Sequence, residues 1–165
     1  MNSGTIIDGI YRYQLWRIWD ESKPAAVFIM LNPSTADAHM DDPTLRRCVG
    51  FAKAWGYGGV KIVNLYALRS PYPKDLMAVS DPTGEFNDRH ISEIVKQAGI
   101  IIAAWGSAGP TGTIKKTAIA KLDTAIGKSQ VFCLGVTKSG DPKHPLYIKG
   151  DTKPQPFSCK YFLAG

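Results

Sequence analysis

The sequence predicts a single α/β domain: a three-layer α/β/α sandwich around a central four-stranded, mainly parallel sheet. Three observations lead there. Four near-continuous apolar runs have the character of parallel strands covered on both faces. Segments with helical apolar stripes lie between those runs, so strand and helix alternate. The length of 165 residues and the 44% hydrophobic content suit one domain with a real core.

The elements follow in order. Ile10 to Trp19 alternates loosely and reads as an extra edge strand or hairpin, with Tyr11, Tyr13, Trp16 and Trp19 as packing residues. The first apolar run, Ala26 to Leu31, stops at Asn32-Pro33. From Thr44 to Trp55, just after Pro43, Leu45, Cys48, Val49, Ala52 and Trp55 recur at helical spacing. The second run, Val60 to Leu65, follows a glycine turn at Gly58-Gly59. A second helix is expected from Asn87 to Ala98 on the stripe Ile91, Ile94, Val95 and Ala98, with Asn87 as its cap. Ile100 to Trp105 is the third run and ends at Gly106. Ile114, Ala118, Leu122, Ala125 and Ile126 define a third helix from Thr113 to Ile126, and Val131 to Val136 closes the series. Right-handed crossovers then place helices on both faces of the sheet. No repeat or low-complexity tract interrupts residues 1–165, which read as one domain.

Composition excludes several classes. No run approaches the roughly 18 apolar residues of a membrane span. The opening MNSGTIIDG lacks a basic region followed by an apolar stretch, so a secretory signal is not expected and a cytoplasmic location is. Cys48, Cys133 and Cys159 form no CxxC pair, and His39, His90 and His144 lack metal-ligand spacing, so no metal is expected. Asp41-Asp42 is read the same way, because adjacent carboxylates diverge. There is no GxxxxGK[ST] loop and no GxSxG elbow, and Gly106-Ser107-Ala108-Gly109 does not match a dinucleotide fingerprint. A net charge of +6 permits a polyanionic partner.

Ligands of open α/β sheets bind outside the carboxyl ends of the strands. The residues there are Asn32-Pro33-Ser34, Asn64, Trp105-Gly106 and, in the loop after the fourth strand, Lys143-His144-Pro145-Leu146. Each has an ordinary structural reading as a turn or loop residue. Together they predict one cleft lined by Asn32, Asn64, Trp105 and His144. Arg46, Arg47, Arg69, Lys138 and Lys143 occupy the strand-end loops and are expected to form a positive band at its rim.

This order of motifs resembles the uracil-DNA glycosylase superfamily, from the first strand to the end of the chain. Met30-Leu31-Asn32-Pro33-Ser34 is similar to the Asn-Pro version of that family's first motif, which holds the attacking water. Trp55-Gly56, Gly59-Val60 and Ile62-Val63-Asn64-Leu65 match a segment that ends in a base-reading asparagine. Ala104-Trp105-Gly106 matches a strand ending in Leu-Trp-Gly. His144-Pro145-Leu146-Tyr147 is a shortened form of His-Pro-Ser-Pro-Leu-Ser, and Phe157 to Phe162 is similar to the segment near the family's last helix.

The resemblance implies a glycosylase that hydrolyses the N-glycosidic bond of a uracil-like or modified pyrimidine, flips the nucleotide to reach it, and needs no cofactor. DNA or another nucleobase-containing ligand is the implied partner, with no obligate protein partner. Asn32 would position water and His144 would donate a hydrogen bond to the departing base. Asn64 offers a donor beside an acceptor, which suits a pyrimidine edge. Pro33, Ser34 and Trp105 would complete the base site. Leu146 would fill the gap in the stack, and Lys143, Arg69, Arg46 and Arg47 would hold phosphates. The sequence departs from the family in three places. Ser34-Thr35 stands where uracil-specific enzymes carry a tyrosine, and Asn32 where they carry aspartate. The phenylalanine that stacks on uracil has no counterpart beyond nearby His39 or Met40. Two alternatives stand beside the glycosylase: a transferase or hydrolase acting on a base or free nucleotide on the same fold, and a catalytically silent nucleic-acid-binding module.

Overall fold

A computed structural model describes residues 1–163 of the chain. A hairpin of β1 (Asn2–Asp8) and β2 (Tyr11–Ile18) leads into β3 (Ala25–Met30), α1 (Pro43–Ala54) and β4 (Gly59–Asn64). Then come α2 (Asn87–Val95), β5 (Ile100–Ala103), α3 (Gly112–Ile126) and β6 (Val131–Cys133). The chain closes with β7 (Gln155–Phe157) and the short α4 (Lys160–Leu163). Short 3-10 turns at Pro73–Met77 and Pro145–Tyr147 sit in the loops. Among the described residues no helix is long and apolar enough to cross a membrane.

All strands join one sheet in the order β1-β2-β4-β3-β5-β6-β7. The four apolar runs are its parallel centre: β3 pairs with β4 and β5, and β5 with β6. The sheet has seven strands, however, and not the expected four. The hairpin adds two antiparallel strands beyond β4, and β7 adds one beyond β6. These edges carry weak sequence signals for a physical reason. β1 is exposed at five of its seven positions, and β7 holds Pro156, a residue tolerated in a sheet mainly at an edge.

The alternation of β3 shows the layers. Ala26, Phe28 and Met30 pack with Leu45, Cys48 and Phe51 of α1, while Val27 and Ile29 pack with Ile91 of α2 and Ile119 and Leu122 of α3. Helices therefore cover both faces, and β3 is buried at every position. α1 starts one residue earlier than the apolar stripe suggests: Pro43 itself opens the helix, and the Asp42 carboxylate accepts from the Leu45 N–H at 2.7 Å. Asn87, by contrast, is no cap. It is buried, and its amide donates to the Asn64 carbonyl at 2.9 Å, so it ties α2 to the end of β4. β6 stops at Cys133, three residues early, because the chain turns at Gly135 and returns to pair Val136 with Pro142.

From β3 the chain crosses by α1 to β4 on one side. It later leaves β5 by α3 for β6 on the other side. Connections leaving neighbouring strands in opposite directions open a crevice at the strands' carboxyl ends. Asn32 follows β3 and Trp105-Gly106 follows β5, so both stand at this switch point.

Candidate functional site

A cavity of about 650 Å³ occupies that crevice. It falls within the roughly 300–1,000 Å³ typical of sites for whole small molecules. Asn32, Ser34, Asn64, Trp105, Lys143, His144 and Leu146 all line it, although they come from four separate stretches of chain. Pro33, Arg46, Arg47 and Arg69 do not.

Asn64 ends β4 and is 1% exposed. Its carboxamide oxygen and nitrogen are both buried and have no protein partner among the described residues. Its main chain is held in place by Asn87. Leaving a buried donor or acceptor unmade costs roughly 1–3 kcal/mol, so an amide with both ends open at a cavity wall is a binding group in waiting. The indole N–H of Trp105 is likewise buried and unpaired, while its ring packs edge-on against Phe157 at 5.7 Å between centroids.

Asn32 is differently employed. Its side-chain nitrogen donates to the Ser70 carbonyl at 2.9 Å and the Leu68 carbonyl at 3.3 Å. With the Ser70 N–H bonded to the Pro33 carbonyl at 2.9 Å, this zips the loop after β3 to the loop after β4. Pro33 is buried inside that seam. The amide oxygen is the end of Asn32 left available to a ligand or a water.

His144 lines the cavity from the loop that follows β6. The Gly106 N–H donates to the Pro142 carbonyl at 2.8 Å, fixing the histidine's loop to the end of β5. Gly106 has φ +70°, a left-handed backbone conformation that glycine adopts without strain, and a Cβ there would lie at ordinary contact distance, 3.4 Å, from the His144 Cβ. Behind the loop, buried Asp141 pairs with Lys115 of α3 at 2.6 Å. His144 Nδ1 accepts from the Leu146 N–H at 3.2 Å, so the neutral ring carries its proton on Nε2. Burial holds the imidazole below its ordinary pKa, opposed by the nearby Asp42 carboxylate. The result at neutral pH is an uncharged ring with one free N–H donor.

The expected positive band does not assemble at the cavity. Arg69 Nε donates to the Ser34 carbonyl at 3.1 Å, and a second N–H reaches the Thr35 carbonyl. Arg47 braces the Pro145–Tyr147 turn by donating to the carbonyls of Pro145 and Ile148, with its guanidinium over the Phe51 ring. Arg46 is exposed on α1 and Lys138 is exposed in its loop; neither lines the cavity. Of the five, only Lys143 does. The arginines are consumed by main-chain carbonyls that the loops leave open, which charge counting cannot foresee.

Sequence reasoning missed Arg12 and gave Asp42 no part in the site, yet both line the cavity. Arg12 lies in β2, where an arginine between two tyrosines reads as a solvent-facing residue of an edge strand. It is instead 4% exposed. Asp42 was legible as a helix cap, since it precedes Pro43 at the start of an apolar stripe.

A family model described as "Protein of unknown function (DUF1643)" matches residues 12–146. The chain belongs to this family. The matched stretch holds every cavity-lining residue except Tyr147, so the cavity is built almost entirely from the DUF1643 segment. No curated protein and no solved structure matches the chain significantly.

Proposed function

We propose that this DUF1643 protein binds a nucleobase in the cavity and hydrolyses the N-glycosidic bond of a uracil-like or modified pyrimidine, on a fold of the uracil-DNA glycosylase type. The observation that carries the reading is the buried, unpartnered Asn64 amide, in one cavity with the neutral His144, whose Nε2–H is the ring's donor. An amide presents an acceptor beside a donor, which complements a pyrimidine edge with N–H beside C=O. When the glycosidic bond breaks, negative charge grows on the departing base. A neutral N–H donor in a water-poor site stabilises that charge more in the transition state than in the ground state. Asn32 orients water weakly, because its nitrogen is committed to the loop seam and only its oxygen can accept from one. Ser34, in place of a bulky ring, leaves room for a base larger than uracil.

A second reading has its own support. Arg69 and Arg47, expected to hold phosphates of a duplex, are bonded to main-chain carbonyls. That favours a hydrolase or transferase acting on a free base or nucleotide over one acting on duplex DNA. One experiment separates the two: incubate the protein with oligonucleotides carrying modified pyrimidines, and in parallel with the matching bases, nucleosides and nucleotides, and assay both released base and chemically altered small substrate. Release from the oligonucleotides supports the glycosylase. Release from, or alteration of, the small substrates alone supports the second reading. Release from neither, with no base binding, removes both.

A further inference from the structure

One wall of the cavity is left unexplained by base recognition. Arg12 projects from β2, the antiparallel strand beside β4, and is almost completely buried where it lines the cavity. Its main-chain N–H bonds the Ala67 carbonyl at 2.9 Å, so its backbone is fixed to the loop that follows β4. A guanidinium has five N–H donors. Here Nη1 donates to the Ala36 carbonyl at 2.7 Å, and Nε is buried without a partner.

No carboxylate among the described residues forms an ion pair with it. Asp41 is taken by the neighbouring Arg17 at 2.9 Å. Asp42 and Asp37 act on Arg12 through space, but the Asp42 side chain caps α1 through the Leu45 N–H and the Asp37 carboxylate accepts from the His39 and Met40 N–H groups. Burial lowers the Arg12 pKa to about 10, which still leaves the group charged at neutral pH. Buried charges in proteins are normally paired, because desolvation is costly. A buried, charged guanidinium on a cavity wall, with no ion pair and an unpartnered Nε among the described residues, is therefore half of an ion pair whose other half comes from outside.

We infer that the ligand of this cavity carries an anionic group, a carboxylate or a phosphate, that pairs with Arg12. This rests on the nucleobase reading above and narrows it to acidic pyrimidines or nucleotides. The guanidinium fork fits carboxylate and phosphate alike. The cavity, at about 650 Å³, has room for such a group beside a base at Asn64.

The test is calorimetric titration of the whole chain with four probes: uracil, orotate, uridine 5′-monophosphate and inorganic phosphate. Uracil is neutral, orotate puts a carboxylate on the ring, and the monophosphate puts the charge beyond the sugar. Wild type should bind orotate or the monophosphate roughly tenfold or more tighter than uracil, and which of the two gains identifies the source of the charge. Arg12→Gln keeps a donor for the Ala36 carbonyl, and should bring the ratio of anionic to neutral affinity toward one. Arg12→Lys should keep part of the preference. Equal affinity of wild type for uracil and both anionic pyrimidines overturns the inference and leaves the base reading standing. Arg12-dependent phosphate binding without any uracil binding does the reverse. Failure of every probe to bind wild type overturns the inference, and this comparison needs no variant to fold.

Discussion

If Asn64 is held for a ligand, replacing it should make the empty protein more stable while destroying its use. Leu has nearly the shape of Asn without the polar ends, and the cavity beside it tolerates the change. Asn64 is 1% exposed, with two unsatisfied polar atoms. Each such atom costs roughly 1–3 kcal/mol when dry, and substituting an apolar group of the same shape removes that cost. Water in the cavity recovers part of it, so the expected gain from Asn64→Leu is at the lower end, about 1–2 kcal/mol. For a chain of this size that is a rise of roughly 2–8 °C in Tm. Differential scanning calorimetry without ligand measures the gain, and titration with pyrimidine probes measures the loss of binding. Asn64→Asp should go the other way, because an unpaired carboxylate in that position would be costly. A fall in Tm for Asn64→Leu, or undiminished base binding, would refute the reasoning: the amide would then be satisfied in the folded chain and would serve packing.

Further outcomes follow from the His144 loop. The His144 pKa is held below its ordinary value of 6.5 by burial, so the unfolded chain binds the proton more readily than the folded one. Its contribution to stability is therefore full above about pH 6.5 and declines as pH falls below it, which Tm measured across pH 5–8, compared with His144→Gln, will show. Among the described residues, Lys115→Met leaves the buried Asp141 carboxylate with the Ser139 hydroxyl at 2.7 Å as its side-chain partner, and should cost on the order of 3 kcal/mol in denaturant unfolding. Because Asp141 and Pro142 anchor the loop that carries His144, the same variant should lose ligand affinity at temperatures where it remains folded.

Much of the fold was legible because burial on both faces writes itself into a strand as continuous apolar sequence. Residues 26–31, 60–65, 100–105 and 131–136 mark the four parallel strands, and the stripe on Leu45, Cys48 and Ala52 marks the helix between the first two. The site followed from those strands: once their carboxyl ends were known, Asn32, Asn64, Trp105 and His144 had to converge. What stayed hidden depended on partners distant in sequence. Asn87 resembles a cap until the Asn64 carbonyl is placed beside it. Arg69 and Arg47 resemble phosphate ligands until Ser34 and Ile148 present their carbonyls. Arg12 resembles a surface residue of an edge strand until the Ala36 loop folds over it. A single sequence records the residue types of these contacts and nothing about which of them meet.

The central claim is that Asn64 and His144 act together on a pyrimidine base. The most direct test is base release from a panel of oligonucleotides and nucleotides carrying modified pyrimidines, with wild type and His144→Ala side by side and folding checked by circular dichroism. His144 is half-buried at the cavity wall and its ring accepts from one main-chain N–H, that of Leu146, while the Gly106–Pro142 bond holds its loop, so the variant should fold. Wild type should release at least one base, and His144→Ala should release it on the order of a hundredfold more slowly, the usual cost of one lost transition-state donor. A folded His144→Ala variant that releases base as fast as wild type would contradict the account, and so would a wild-type protein that neither binds nor releases any pyrimidine.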